Sequence, residues 1–482
     1  MPITLSNNQT YTNTLGSTVS GTNAVTWSGG STAPGVVLDN YGAITGSTRG
    51  INANGSFTTG SFTLHNYAGG TVSGGADDAI RINPTGFATG VLTIENAGTI
   101  TGGTGGQAVD FGNIVGANVT SFITNLATGL ITADGADVVR PGSHATVYNY
   151  GRITSGGTGN DGVDFQANEG GVLYNYASGV ITASKHAVTA DVAVTVVNEG
   201  TLKGLLGSGV NLDTAAGVTS TITNAHGALI TGNSAGATDG DGVDSDGPVI
   251  IYNHGTIEAT GTSTGGSLSE ALAIGGGQVF NYADGTITSV ERAITVDDSD
   301  LGPAFAAFRL ENAGLILGQN GQAIDIKGAF ADTILNSGTI TGSVAVGGGD
   351  DVVTLSGAGK INGIVYGGEG ADSLSGAAAG DTLDGGAGLD LLFGGAGDDR
   401  LTGGTEKDIF VYGAGANGAD VVTDFLVGLD KLQLLDGARV AGIRYGDFDG
   451  DGARDTLLTL GGTASGTITL LNVSLFNNTI LL

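Results

Sequence analysis

The stretch GGAGLDLLFGGAGDDRL, residues 385–401, decides how the chain is read. A glycine pair is followed four residues on by an aspartate and two further by a leucine, and the pattern restarts after nine residues. Extended in both directions, five such units keep register: GGEGADSLS from 367, GAAAGDTLD from 376, GGAGLDLLF from 385, GGAGDDRLT from 394 and GGTEKDIFV from 403. Position six is always acidic: Asp372, Asp381, Asp390, Asp399 and Asp408. Position eight is always large and apolar: Leu374, Leu383, Leu392, Leu401 and Phe410. Like-charged carboxylates at so short a repeat should repel one another, so their regularity needs a cause.

This register resembles the repeats-in-toxin (RTX) nonapeptide G-G-x-G-x-D-x-apolar-x. The resemblance implies a parallel β-roll in which two units make one coil and position eight points inward. Units n and n+2 would then face each other, pairing Asp372 with Asp390, Asp381 with Asp399 and Asp390 with Asp408. Ca²⁺ takes six to eight oxygen ligands. The edge would supply carboxylates together with carbonyls of turn glycines such as Gly385, Gly388, Gly394 and Gly397, giving roughly three full sites. The carboxylates repel without the metal and are bridged with it. Two units depart from the pattern: the second lacks glycine at positions two and four, and the fifth carries Glu406 and Lys407 at positions four and five, where glycine and a free residue are usual. Upstream, VGGGDDVVT (346–354) fits the same frame three residues out of phase, with Asp351 at position six.

A longer repeat precedes these units. Asparagine followed by small or turn-forming residues recurs at 40, 66, 96, 125, 149, 175, 198, 224, 253, 281, 312 and 336, a mean spacing of about 27. Within a unit such as NEGTLKGLLGSGVNLDTAAGVTSTIT (198–223), three short segments alternate apolar and polar residues, the pattern of half-buried strands. Three strands per turn resemble a right-handed parallel β-helix of the pectin-lyase-like type, here of about twelve coils. A β-sandwich array is the alternative. The expected fold is all-β: the helix, then the calcium-binding β-roll, then a C-terminal β region. The segments are 1–38 (cap or docking segment), 39–345, 346–411 and 412–482.

Coils stacked about 4.8 Å apart would let the recurring asparagines form an internal amide ladder, a structural role. Flanking aromatics should stack, Tyr148 on Tyr174 and Tyr150 on Tyr176, as plain exterior packing or as a stripe for a sugar or another subunit. A second polar column runs through Asn52, Arg81, Asp110, Asp164, Thr189, Asn211, Asp244, Thr295 and Asp325. Asp110 and Asp164 lie two coils apart, about 10 Å, too far for a retaining carboxylate pair and just beyond an inverting one. Avoidance of like-charge stacking explains the column better than catalysis does. The acidic loop 237–247, with Asp239, Asp241, Asp244 and Asp246, is a further candidate cation binder. So is GDFDGDGARD (446–455), where Asp447, Asp449, Asp451 and Asp455 follow D-x-D-x-D-G, although Leu458 stands where an EF-hand has glutamate.

Composition narrows the function. With 46 acidic against 16 basic residues, a net charge of −30, the surface repels nucleic acid and anionic membrane. No apolar run is long enough to span a bilayer. There is no cysteine, and the start shows no basic or apolar signal region. The C-terminal region resembles that of RTX proteins exported by type I secretion, whose signal is carboxyl-terminal. The expectation is a secreted, calcium-dependent structural protein and not an enzyme: a surface-layer subunit, matrix component or adhesin. Self-association, the type I secretion machinery and a cell-surface polysaccharide are the partners considered. The alternative is a polysaccharide-active enzyme, since alginate epimerases join a β-helix to an RTX module. Their Asp-Pro-His-Glu run is absent here, and none of the five histidines sits in an acid/base constellation. No H-E-x-x-H occurs to suggest a protease.

Overall fold

A computed structural model describes the chain except residues 7, 29–34, 54, 167–169, 216, 235–239, 263–267, 298–301 and 475–479. Among the described residues there is no α-helix, and two compact units, Met1–Ala273 and Ile274–Leu482, are both built as parallel β-solenoids.

In the first unit a typical coil consists of Arg152–Ser155, Val163–Asp164 and Gly171–Asn175. These stack in parallel register on Val180–Ala183, Val188–Ala190 and Val194–Asn198 of the next coil. Because side chains alternate across a strand, one set points into the coil and stacks on its equivalents. Ile123, Val147, Leu173, Val196, Ile222 and Ile251 form one such inner column. Ile131, Ile153, Ile181, Leu202, Ile230 and Ile257 form another, and all twelve side chains are buried. Each such burial contributes about 1.5–3 kcal/mol.

The asparagines close the corner. From Asn13 through Asn40, Asn66, Asn96, Asn125, Asn149, Asn175, Asn198 and Asn224 to Asn253, each side-chain N–H donates to the next amide oxygen at 2.7–2.9 Å. Spare N–H groups reach backbone carbonyls, as Asn125 does to Arg152 at 3.1 Å. The ladder thus begins one coil earlier than the sequence pattern suggests. Ile3–Leu5, Thr10–Asn13 and Thr18–Trp27 already stack in register on their neighbours.

In the second unit the ladder runs from Asn281 to Asn312 (2.7 Å) and Asn336 (2.8 Å). It stops where Leu355 pairs with Asn336. From there the same sheet continues without interruption through Ser373–Ser375, Leu391–Phe393, Ile409–Tyr412 and Lys431–Leu434. The opposite sheet stacks Val365–Glu369, Thr382–Ala387 and Arg400–Thr405. Successive nonapeptides therefore alternate between two sheets, and units n and n+2 lie on adjacent coils. Three antiparallel strands, Ala438–Gly446, Asp455–Gly462 and Ala464–Leu470, follow; the last also pairs in parallel with Gly415–Val422.

Candidate metal centre

Position eight of each repeat fills the roll: Leu374, Leu383, Leu392, Leu401 and Phe410 are all buried. That fixes position six at the edge, where aspartates of adjacent coils meet. The backbone N–H of each donates to the carboxylate below: Asp372 to Asp390 (2.8 Å), Asp381 to Asp399 (2.8 Å) and Asp390 to Asp408 (3.0 Å). Asp351 joins through its N–H to Asp372 at 2.9 Å, so its three-residue phase slip leaves the column intact.

The column is longer than the five repeats. Asp332 donates to Asp351 (2.7 Å), Asp399 to Asp420 (3.0 Å) and Asp408 to Asp430 (3.0 Å). One edge therefore carries six carboxylates, from Asp332 to Asp430, and the other carries Asp381, Asp399 and Asp420. Asp332, Asp420 and Asp430 escape a search for glycine pairs. GANGADVVT (415–423) and FLVGLDKLQ (425–433) nevertheless keep glycine, aspartate and an apolar residue at positions four, six and eight.

Each rung uses one carboxylate oxygen for the backbone. The second oxygen of Asp351, Asp372, Asp390, Asp399 and Asp408 is buried and accepts no hydrogen bond from the protein. The glycines explain why. In the units that carry these five aspartates, positions two and four take positive φ, for example 105° at Gly386 and 136° at Gly388. This conformation suits glycine. A Cβ at Gly388 would also collide with the Gly370 carbonyl of the preceding coil. Even Glu406, at position four of the fifth unit, is held at φ 73°. The second unit is the exception. Ala377 and Ala379 do not adopt positive φ, and the Ala377 N–H donates to the second oxygen of Asp381 at 2.9 Å. Leu426 does the same to Asp430 at 2.7 Å. Positive φ at positions two and four thus accompanies an unsatisfied oxygen, whereas Ala377 and Leu426 at position two satisfy theirs from within.

A buried, unsatisfied carboxylate oxygen is costly unless a cation takes it. Burial, reinforced by neighbouring aspartates, pushes the carboxyls of Asp351, Asp408 and Asp420 up to about 7 and those of Asp390 and Asp399 up to about 6. Burial likewise raises Asp372 and Asp381. Stacked hard oxygens with turn carbonyls beside them fit Ca²⁺. Residues 362–392 and 384–419 each match the RTX calcium-binding nonapeptide repeat (4 copies) family. No curated relative matches the chain. The chain is a β-solenoid carrying RTX calcium-binding repeats. Proteins with these repeats bind calcium and are typically exported by type I secretion, which supports an extracellular location. Among the described residues, no helix is long and apolar enough to cross a membrane.

Two predictions arise here. The double substitution Ala377→Gly with Ala379→Gly is expected to release Asp381 from Ala377 and add one bound calcium, counted by calorimetric titration; an unchanged count would refute the glycine rule. The second concerns pH. Because these carboxyls titrate higher in the folded chain than the usual 3.8, the metal-free fold holds protons that the unfolded chain has lost. Its stability without calcium is greatest below about pH 4 and falls as pH rises through about 6–7. Calcium displaces those protons, so apparent affinity should fall between about pH 7.5 and 5.5, with proton release at about pH 6.5. Calorimetry in buffers of different ionisation heat measures that release directly.

The other expected groups behave differently. Asp447, Asp449 and Asp455 can bring ligand oxygens within 4.8 Å of one another, and Asp451 is not among them. All four lie at a hairpin and accept backbone N–H groups; both oxygens of the fully buried Asp455 are taken, by Phe448 and Asn472 at 2.8 Å each. In the 237–247 loop Asp239 lies outside the described residues, and Asp241 accepts the Glu270 N–H at 2.6 Å. In the polar column, sequence reading passed over Arg140, which stands between Asp110 and Asp164. Arg81 reaches Asp110 at 3.3 Å and Arg140 reaches Asp164 at 3.2 Å, so the charges alternate and pair.

Proposed function

We propose that the protein is a calcium-dependent structural protein of the cell surface or extracellular matrix: a surface-layer subunit, self-assembling matrix component or adhesin. The observation that carries this reading is the row of unsatisfied edge carboxylates. The roll is electrostatically unfavourable where calcium is scarce and favourable at the 10⁻⁴–10⁻³ M Kd range typical of extracellular modules. Such a chain stays unfolded for export through the type I machinery and folds outside. The repetitive, stacked coils support a scaffold. The tyrosine pairs agree: Tyr150 and Tyr176 stack at 4.0 Å and 4°, and Tyr148 and Tyr174 at 5.4 Å and 8°. Each ring covers its neighbour's face, which leaves edges and hydroxyls for contact with another copy and little open face for a sugar. Electron microscopy with and without calcium tests the proposal. Ordered sheets or fibres in calcium support it; a lone monomer that degrades or epimerises uronic polymers overturns it.

One observation favours the second reading, a polysaccharide-active enzyme. A groove of about 710 Å³ in the first unit is lined by Asp137, Arg140, Asp161, Asp164, Lys185 and Thr189. Burial and Asp137 push Asp164 up to about 7, within the range of a general acid. This reading predicts release of reducing sugars or unsaturated uronates from a polymer, lost in Asp164→Asn.

A further inference from the structure

The second sheet of the roll breaks its own pattern once. The register Leu374–Leu392–Phe410 places Gly376, Gly394 and Tyr412 in one column, two residues beyond position eight of each unit. At Gly394 an added Cβ would collide with the free oxygen of Asp399, so this column faces the carboxylate rungs. At its third step stands a whole phenol. The link to the next rung lengthens to make room: Gly376 to Asp381 and Gly394 to Asp399 are five residues, whereas Tyr412 to Asp420 is eight. The three added residues separate the strand from the rung where the ring must fit.

Tyr412 is 2% exposed, and its hydroxyl has no hydrogen-bond partner. A buried phenol left so costs about 1–3 kcal/mol. The free oxygen of Asp399 belongs to the adjacent rung, and the carboxylates acting on the phenol are Asp420 and Asp399. The phenol hydroxyl and the free Asp399 oxygen are both buried and both without a hydrogen-bond partner, a cost that a shared cation would relieve.

We propose that the Tyr412 phenol oxygen closes a calcium site on the Asp399–Asp420 step, supplying from inside the roll an oxygen that the nonapeptide pattern does not contain. Asp399 and Asp420 hold the cation from adjacent coils, and Tyr412 fills a place that glycine leaves open at the other rungs. The inference rests on the calcium-binding reading of the roll.

The test uses the full chain, stripped of metal and titrated with calcium and, separately, with terbium. A phenol in contact with bound terbium sensitises its emission, so Tyr412 should give a discrete step of phenol-excited luminescence. In Tyr412→Phe that step is expected to vanish and one calcium to bind about tenfold more weakly, with the others unchanged. Asp420→Asn, which keeps the phenol, should lose the same step. Identical emission steps and calcium isotherms in Tyr412→Phe and wild type would overturn the proposal. Should Tyr412→Phe fail to fold in calcium, persistence of the emission step in Asp420→Asn overturns it instead. A wild-type chain that binds neither ion would defeat the calcium reading as a whole, an outcome distinct from failure of the tyrosine site alone.

Discussion

Removing calcium is expected to unfold the roll between residues 346 and 434, with loss of its β-sheet circular dichroism and of its cooperative melting transition. Five buried carboxylate oxygens there accept no hydrogen bond from the protein. Burial first, and then the field of neighbouring aspartates on stacked coils, raises the carboxyls of Asp390 and Asp408. A ligand present at a hundredfold its Kd stabilises the folded state by about 2.7 kcal/mol per site. Roughly three such sites would contribute about 8 kcal/mol, comparable to the 5–15 kcal/mol that holds an ordinary domain. Without the ion the same groups become buried charges with no partner. Chelation followed by a thermal scan at about pH 7.5, where the metal-free fold is least favoured, measures the effect. Magnesium should not rescue it, because that ion demands a near-ideal octahedron and gives up its water reluctantly. A roll that melts identically in chelator and in calcium would contradict the metal assignment.

Fold and edge were legible in the sequence to different depths, for physical reasons. Strict spacing survives translation into structure, because a residue slipped by one place in a strand changes face. That is why the columns of Asp372 to Asp408 and of Leu374 to Phe410 could be read directly. Asp420 and Asp430 were missed because Ala416 and Leu426 replace the glycine used as the marker, and three inserted residues break the count of nine. Asn13 was missed although TVSG follows it at the same five-residue offset as the TVSG after Asn66. Which carboxylate oxygens stay free was not legible at all. That depends on peptide orientation at positions two and four, a property of φ and of the neighbouring coil rather than of residue type alone. Arg140 shows the same limit: only the stacked coils reveal that it separates two aspartates of one column.

The amide ladder should be the most sensitive place in the first unit, and Asn175→Leu tests it. Asn175 accepts the Asn149 N–H at 2.8 Å and donates to Asn198 at 2.8 Å, to Gly179 O at 3.2 Å and to Thr201 O at 3.2 Å. Leucine matches its volume closely and keeps the core filled, so the loss is almost purely of hydrogen bonds. The Asn149 N–H is left buried without its acceptor, and two carbonyls lose a donor. At about 1–3 kcal/mol for each orphaned buried group, the expected destabilisation is about 3–5 kcal/mol. Asn175→Asp should be at least as damaging: it still accepts from Asn149 but sets a carboxylate oxygen against the Asn198 oxygen in a site closed to water. The exposed Ser178→Ala, which removes only a bond to the Tyr150 carbonyl, should stay within about 0.5 kcal/mol. Urea unfolding in saturating calcium reads all three through Trp27, the only tryptophan, which is buried against Phe57, Phe62 and Phe87 in the same unit. A cost below about 1 kcal/mol for Asn175→Leu would mean that stacked backbone and apolar columns alone hold the coils, because a hydrogen bond that water replaces without loss contributes little net stability.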